Sequence, residues 1–171
     1  MNEILKLAAE AADDAKLMFS GDDNHLFFSL GERLLISRKL TGNFPEFERV
    51  LPKEHAHAVS LEKDELRGAL ERVMQFADER SRAIKLTAAA GEFKLHSSLS
   101  ETGESEETIS VSYDGPAVQI GFNGQYIIDF LRATSENEVV FHFKDGSAAG
   151  EMRPGGDPAY TYRYIIMPMR I

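Results

Sequence analysis

An amphipathic helical pattern occupies LRGALERVMQFA (Leu66–Ala77), and three strand patterns follow it in AIKLTAAA, EFKLHSSL and ETISVSY. Apolar residues recur in the helical part at Leu66, Ala69, Leu70 and Val73, which is the spacing of one buried helix face. Apolar and polar residues alternate in the strand parts, as they do in strands that bury one side. The segment therefore predicts one helix followed by a short set of paired strands.

The same order of one helix and three strands recurs on either side of this segment, at a spacing of about sixty residues. The preceding unit opens with ILKLAAEAA (Ile4–Ala12), and the following unit opens with YIIDFLRA (Tyr126–Ala133). The amino-acid sequences of the three units differ, so only the spacing and the order of the elements repeat. This pattern predicts an α+β protein, and a repeated scaffold without a repeated catalytic motif favours an architectural role.

Composition excludes several other classes of protein. The chain has 171 residues, 43% hydrophobic and 27% charged, which is ordinary for a globular protein with a real core. We find neither an apolar run of the roughly 20 residues that a membrane span requires nor a signal-peptide pattern. The absence of cysteine excludes disulfides and thiolate metal sites. A net charge of −9 argues against a protein that coats nucleic acid through its total charge.

The first unit differs from the other two at its start. Strand patterns precede the second and third helices, in HAVSLEKDE and PAVQIGFN, but nothing comparable precedes the first helix, so we expect the chain to be part of something larger. The segment TGNFPEFERVLPKE (Thr41–Glu54) has two prolines and no periodicity, which predicts a linker between domains. Ser60 and Asn123 stand where the N-caps of the second and third helices are expected.

Motifs for catalysis or for a bound cofactor are not found in the sequence. His55 and His57 could place two imidazoles on one side of a strand, but a third metal ligand is not close in sequence. The segment GFNG (Gly121–Gly124) follows a strand pattern and opens a helix, but it lacks the further glycine and the lysine of a phosphate-binding loop. We therefore expect neither a catalytic residue nor a metal nor a cofactor.

Three segments together resemble one family, the bacterial DNA polymerase III beta subunit, or sliding clamp. They are LISRKLTGNFPEFERVLP (Leu35–Pro52), IGFNGQYIIDFL (Ile120–Leu131) and YIIMPMRI (Tyr164–Ile171). The resemblance covers the whole chain and implies the DNA-clamp fold, with antiparallel sheets outside and helices on the inner face. It implies that residues 1–50 are the C-terminal half of the family's middle domain, including the linker, and that residues 51–171 are its complete third domain.

The resemblance also implies a pocket for short peptide motifs from the polymerase alpha subunit, the clamp loader and other clamp-binding proteins. Apolar side chains would hold the peptide's anchor residues, while an amide and arginines would bind its polar groups. The residues carried over are Pro45, Arg49, Val50, Asn123, Tyr126, Ile165, Ile166, Met167, Pro168, Met169 and Arg170. Part of this pocket belongs to the earlier half of the middle domain, so we expect a weakened site in this chain.

In the family, two subunits close into a ring around duplex DNA, held by its topology and by loose contacts to phosphates. The candidate cations on the inner helices are Lys6, Arg67, Arg72 and Arg132. The residues implied at the subunit contact are Gln75, Phe76, Glu104, Glu106 and Glu107. Gln75 stands where the family often has an aliphatic residue.

The leading interpretation is a fragment of a non-catalytic replication clamp in the bacterial cytoplasm, associated with the nucleoid. One alternative is a short form that acts alone as a peptide-binding module and competes for clamp partners. Another is an enzyme built on the clamp scaffold, which would need a cluster of perturbed titratable groups in a pocket. Unpaired sheet edges further predict self-association.

Overall fold

The computed structural model describes residues 2–12, 14–99 and 103–170. The chain divides into two compact units, Met1–Pro45 and Glu46–Ile171. The predicted boundary between residues 50 and 51 therefore lies a few residues beyond the point at which the compact units separate, and it remains a prediction for the family's domains.

The first unit consists of one helix and a three-stranded antiparallel sheet. Helix α1 (Asn2–Ala9) precedes the strands β1 (Leu17–Gly21), β2 (His25–Leu30) and β3 (Arg33–Arg38), which pair in that order. The three strands predicted for this unit are confirmed and are joined by two hairpins, the second of which requires the positive φ of 58° found at Gly31. The helix ends three residues earlier than the pattern Ile4–Ala12 predicted.

The second unit contains two copies of a strand, a helix and three further strands. The first copy comprises β4 (His57–Glu62), α2 (Lys63–Val73), β5 (Ala83–Ala89), β6 (Glu92–Leu99) and β7 (Gly103–Ser110). The second copy comprises β8 (Val118–Asn123), α3 (Gly124–Ala133), β9 (Glu138–Phe143), β10 (Gly150–Pro154) and β11 (Tyr164–Ile166). The predicted strands before the second and third helices are thus confirmed.

The two copies exchange the strands that precede their helices. The two four-stranded sheets have the orders β7-β6-β5-β8 and β11-β10-β9-β4, and all their pairings are antiparallel. Strand β8 therefore completes the sheet of the first copy, and β4 completes the sheet of the second. This exchange ties the two copies into one body.

One continuous core fills the second unit. The buried face of α2 is the predicted one, with Leu66, Ala69, Leu70 and Val73 all buried. Alternate residues of the strands meet these helical residues, and the phenylalanines Phe93, Phe122, Phe130, Phe141 and Phe143 are among the buried side chains. Burial of this much apolar area is the main source of the unit's stability.

The helix caps confirm one prediction and correct the other. Asn123 caps α3, since its Oδ1 accepts a hydrogen bond from the backbone N of Gln125 at 2.9 Å. The prediction that Ser60 caps α2 is wrong. Strand β4 continues to Glu62, which pairs with Glu138 of β9, and the Glu62 carboxylate accepts from the backbone N of Asp64 and of Glu65. The helix cannot begin until this strand pairing ends.

Candidate functional site

The C-terminal segment joins the two sheets of the second unit. Strand β11 pairs with β10, and Ile166 opposite Gly150 is buried. Three residues later the backbone N of Met169 donates to the carbonyl O of Gly121 in β8 at 2.8 Å. Met167 lies between these two anchor points with 66% of its surface exposed. The segment that the sequence assigned to peptide binding is thus held at both ends and presents a methionine to solvent.

A cavity of about 390 Å³ lies beside the end of this segment. Met169 and Arg170 line it together with residues of two strands, β5 and β8, and with Gly146 of the loop between β9 and β10. That loop approaches β8 closely, because a Cβ added to Gly146 would lie only 2.5 Å from the carbonyl O of Gln119. The remaining lining residues are Lys85, Gln119, Ile120 and Gly121.

A second cavity, of about 440 Å³, lies beside the predicted linker. A short 3₁₀ turn, Phe47–Arg49, is closed by a hydrogen bond from the backbone N of Val50 to the carbonyl O of Phe47 at 3.0 Å. It positions Arg49 and Val50 at the cavity, where Arg49 also pairs with Glu46. The other lining residues are Leu51, Pro52, Lys53, Glu54, Lys144, Ala148 and Ala149.

The start of α3 contributes an exposed aromatic side chain. Tyr126 lies on the first turn with 52% of its surface exposed. The pKa of Tyr164 in β11 is raised by burial first and then by the nearby Asp129, Tyr162 and Tyr126. Tyr126 is thus close to the strand that leads to Met167. Asn123, by contrast, uses its side-chain oxygen to cap the helix.

A buried ion cluster fixes the linker-side cavity to the sheet. The Glu151 carboxylate is fully buried and accepts hydrogen bonds from Arg163 Nε at 2.5 Å, from Arg163 Nη2 at 2.7 Å and from Arg153 Nε at 2.5 Å. Arg163 Nη2 also donates to the carbonyl O of Pro52 at 3.4 Å, and His55 Nε2 lies 3.0 Å from Glu151 Oε2. This cluster holds Pro52 and His55 against β10.

The ionisation of Glu151 follows from its partners. Burial alone would raise the pKa of this carboxyl, but the hydrogen bonds and positive charges of Arg163 and Arg153 lower it to about 2. The centroids of the His142 and His55 rings lie 5.0 Å apart with the rings tilted by 40°. The pKa of His142 is lowered by burial and then by the charges of Arg153 and His55. Sequence reasoning missed this cluster, because its members are far apart in the chain.

His55 and His57, which the sequence left as two imidazoles without a third metal ligand, have different neighbours in the structure. His55 lies against Glu151 and His142, whereas the His57 ring packs 5.4 Å from Phe143 and 6.0 Å from Tyr113. Residues 2–12, 14–99 and 103–170 contain no group of three or more histidine, aspartate or glutamate side chains that could hold a metal ion. In the same part of the chain, no helix is long and apolar enough to cross a membrane.

Each candidate DNA-facing cation pairs with a carboxylate of its own unit. Lys6 pairs with Glu3 at 2.8 Å, Arg67 pairs with Asp64 at 3.1 Å, and Arg132 lies 3.8 Å from Glu71. Arg72 makes two hydrogen bonds to Glu107, at 2.8 and 3.0 Å, which raise the pKa of Arg72 and lower that of Glu107. These side chains are partly or largely exposed, so the pairs are weak and can exchange a carboxylate for a phosphate.

The residues predicted at the subunit contact lie close together at one edge of the second unit. Phe76 ends a 3₁₀ turn, Met74–Phe76, that follows α2. A Cβ added to Gly103, at the start of β7, would lie 3.9 Å from the Phe76 ring. Strand β7 is an edge strand, and Glu104 and Glu106 on it are exposed. Gln75 is exposed beside Phe76, whereas Glu107 is engaged by Arg72.

The predicted peptide-binding residues thus lie at several separate positions in the structure. Arg49 and Val50 share one cavity, and Met169 and Arg170 share another. Pro45 belongs to the first unit, and Ile166 is a core residue. Lys85, Gly146, Lys144 and Ala148 could not be predicted as cavity residues, because they reach the cavities only through sheet pairing and loop packing.

The second unit has two helices and two four-stranded sheets that exchange strands, and a helix and a three-stranded sheet precede it. This architecture is the DNA-clamp fold. A family model for the DNA polymerase III beta subunit, C-terminal domain, matches residues 48–170. The chain belongs to the DNA polymerase III beta subunit family. This confirms the resemblance inferred from the linker, α3 and C-terminal segments.

Individual relatives agree with this assignment. The chain is 34% identical over 148 residues to the beta sliding clamp of Pseudomonas putida, covering 86% of this chain and 40% of that protein. It is 31% identical over 144 residues to the beta sliding clamp of Caulobacter vibrioides, covering 84% and 38%. The chain thus spans less than half the length of these curated relatives.

Solved structures show the same correspondence. The DNA polymerase sliding clamp from Pseudomonas aeruginosa, crystallised with a ligand, matches with a TM-score of 0.82 at 29% identity, over 99% of this chain and 45% of that one. The Caulobacter crescentus beta sliding clamp matches with a TM-score of 0.84 at 28% identity, again over 99% and 45%. The predicted α+β clamp fold is confirmed.

Proposed function

We propose that the chain serves as part of a sliding clamp, a non-catalytic processivity subunit of the replicative DNA polymerase. The single observation that carries this proposal is the family match over residues 48–170, which includes the linker turn, α3 and the C-terminal segment. Under this proposal residues 1–50 correspond to the second half of the family's middle domain, and residues 51–171 correspond to its third domain. The site of action is the bacterial cytoplasm, at the nucleoid.

The partner-binding surface in this proposal runs from the linker turn past α3 to the C-terminal segment. Val50, Tyr126 and Met167 are exposed apolar side chains that can receive the anchor residues of a short peptide. Arg49 and Arg170 line the two cavities and can bind the peptide's carbonyl or carboxylate groups. The partners that such a surface fits are the polymerase alpha subunit, the clamp loader and other proteins with clamp-binding motifs.

A fluorescence-polarisation titration tests this surface directly. The probe is a labelled peptide of the glutamine-leucine-x-leucine-phenylalanine type, and the variant carries Met167→Ala and Arg170→Ala. The matched control carries Leu40→Ala and Arg38→Ala, since Leu40 is 98% exposed and both lie in the first unit. We expect saturable binding that the Met167→Ala, Arg170→Ala variant loses and the control retains. A folded chain that does not bind the peptide would contradict a functional site within these 171 residues.

Duplex DNA is the second partner in this proposal, bound without sequence preference. Lys6, Arg67, Arg72 and Arg132 would exchange their carboxylate partners for phosphates once DNA lies along the helices. Because these pairs compete with phosphate, we expect the chain alone to bind a labelled duplex only at low salt. Glu71→Gln should strengthen that binding by freeing Arg132, and Arg132→Ala should weaken it. A duplex affinity that neither substitution changes would contradict the assignment of Arg132 on α3 to the DNA-binding surface.

One structural observation favours the alternative of a separate peptide-binding module. The second unit has its own continuous core, and both cavities are lined only by residues of that unit. A module of this kind would compete with a complete clamp for the same peptides. The affinity measured in the titration above distinguishes the two interpretations. A module should bind the peptide as tightly as a complete clamp does, whereas a clamp fragment that lacks part of the pocket should bind it more weakly.

A further inference from the structure

Residues 52–56 follow the linker turn and cover one face of the sheet that contains β9 and β10. His142 of β9 and Glu151 of β10 lie opposite each other on this face, because the residues beside them in each strand point into the core. Glu151 is nevertheless fully buried, and His55 lies over its carboxylate at 3.0 Å. Residues 52–56 thus form a covering segment that shields this carboxylate from water.

Three contacts between described residues hold the covering segment against the sheet. At its start, Arg163 Nη2 donates to the carbonyl O of Pro52 at 3.4 Å. At its end, the backbone N of Ala56 donates to the last carbonyl O of β9 at 3.2 Å. Between them, His55 Nε2 is buried 3.0 Å from Glu151 Oε2, but it forms no hydrogen bond of acceptable geometry with any described residue. A buried polar atom without a hydrogen bond costs free energy, so the middle of the segment is weakly held.

The charged groups that face His142 come from the sheet and from the covering segment. They are Glu151 and Arg153 of β10, Arg163 ahead of β11, and the His55 ring, whose centroid lies 5.0 Å from that of His142. Ala58 is the opposite residue on β4 and has no charge, and Lys144, just after β9, pairs with Glu54 at 3.7 Å. One carboxylate and two guanidiniums therefore surround the ring, so a proton on His142 enters a region that is already positive.

The ionisation of His142 is coupled to the position of the covering segment. Burial lowers the pKa of His142 below its ordinary value of 6.5, the charges of Arg153 and His55 lower it further, and Glu151 opposes them. Release of the segment takes away His55 and part of the burial, so the ring binds a proton more readily in the open arrangement. The closed arrangement is therefore favoured above the ordinary pKa. It loses this advantage as the pH falls below that value, until the ring is protonated in both arrangements.

We propose that this ion cluster is a pH-sensitive latch, in which protonation of His142 in mildly acidic solution releases the covering segment from the sheet. Release separates His55 from His142 and from Glu151, and it lets water reach the carboxylate and both arginines. The core residues of β9 and β10 lie on the other face of the sheet and do not take part. The latch is therefore a local opening of one segment and not an unfolding of the second unit.

The latch acts on the cavity beside the linker. Pro52, the first residue of the covering segment, lines that cavity together with Arg49 and Val50. Release of the segment therefore changes a wall of the surface to which the proposed function assigns peptide binding. This consequence for partner binding rests on the proposed function, whereas the latch itself does not.

Amide exchange of Ala56 tests the latch, because this amide bonds to the sheet only while the segment is closed. Exchange is followed by NMR at pH 7.5 and 5.5, and protection factors remove the dependence of the intrinsic exchange rate on pH. We expect protection at Ala56 to fall several-fold at pH 5.5 in the parent chain, while that of the core residue Phe141 stays constant. His142→Gln, which is uncharged at both pH values, should keep Ala56 protected.

The matched control is His96→Gln, which removes a histidine from the other sheet and should respond to pH as the parent chain does. Protection at Ala56 that is constant in the parent chain, or that falls equally in His142→Gln, would overturn the proposal. NMR titration of the imidazole protons of the parent chain gives a second readout that needs no substitution. Opening of the segment should follow the titration curve of His142, and opening that follows the curve of His55 instead would contradict the proposed role of His142.

Peptide binding at the same two pH values tests the consequence for the site. With the labelled peptide of the glutamine-leucine-x-leucine-phenylalanine type, we expect the parent chain to bind more weakly at pH 5.5 than at pH 7.5 and His142→Gln to bind equally at both. A fall in Ala56 protection without a fall in peptide affinity supports the latch and removes the linker-side cavity from the peptide-binding surface. Failure to bind the peptide at either pH contradicts the proposed function alone, since the exchange of Ala56 does not depend on the peptide.

Discussion

At the scale of single residues, Glu151 shows how a buried charge can be retained. Its carboxylate is fully buried, and hydrogen bonds from Arg153 and Arg163 satisfy it. Removing one member of a buried ion cluster leaves the others uncompensated, which costs far more than breaking a surface pair. The cluster also fixes Pro52 and His55, and it thereby supports the cavity that contains Arg49 and Val50.

The pH dependence of stability should reveal this carboxylate. Its pKa is about 2 in the folded chain, against 4.5 for an ordinary glutamate. A group whose pKa is lowered by folding stabilises the fold above its unfolded pKa and loses that contribution as the pH falls towards the folded pKa. Glu151 should therefore contribute roughly 3 kcal/mol at pH 7 that disappears between about pH 5 and pH 2.

Urea unfolding of Glu151→Gln at pH 7, 4 and 2.5 measures this contribution. We expect the variant to be less stable than the parent chain at pH 7 and the difference to shrink as the pH falls. The control is Glu79→Gln, an exposed glutamate, which should leave stability almost unchanged. A difference that stays constant from pH 7 to pH 2.5 would show that the loss comes from packing and not from ionisation.

Sequence reasoning succeeds where the chemistry is local. Asn123 is predictable as a cap because the cap acts on the backbone two residues away. The binding roles of Tyr126 and Met167 come from the family motif and stay predictions, while the structure shows both side chains exposed. Lys85, Lys144 and the Glu151 cluster could not be predicted, since strand pairing between segments far apart in the chain is what brings them to their sites.

At the scale of the elements, the periodic patterns predicted the helices and most strands, but the ends of the elements depended on tertiary pairing. The start of α2 illustrates this. A serine is the preferred capping residue, yet Ser60 lies in β4 and pairs with Val140 of β9. The sheet extends to Glu62, so a glutamate, a less usual cap, takes the capping position.

Two substitutions distinguish the cap from the strand residue. Glu62→Ala should lower the free energy of unfolding by about 1 kcal/mol, because the backbone N–H groups of Asp64 and Glu65 lose their acceptor. Ser60→Ala should change it by less than about 0.5 kcal/mol, since Ser60 is exposed. Thermal unfolding at pH 7 gives both values. A larger loss of stability in Ser60→Ala than in Glu62→Ala would indicate that Ser60, as the sequence suggested, caps α2.

At the scale of the whole molecule, the two units differ in what holds them together. The second unit buries residues from both helices and eight strands in one core. Among the described residues of the first unit, Leu30 is the buried one, and α1 contributes none. The sequence patterns did not predict this difference, because the first unit has the same order of one helix and three strands as the units that follow it.

Hydrogen exchange of the full chain should therefore show two levels of protection. Amides of β9, such as that of Phe141, should exchange only through global unfolding, since β9 is paired on both sides and Phe141 is buried. Amides of β2, such as that of Phe28, should exchange faster by several orders of magnitude, because opening the first unit exposes little buried apolar surface.

Hydrogen–deuterium exchange followed by mass spectrometry checks this difference between the two units. Uniform protection across both units would mean that the first unit draws its stability from contacts beyond its own small core.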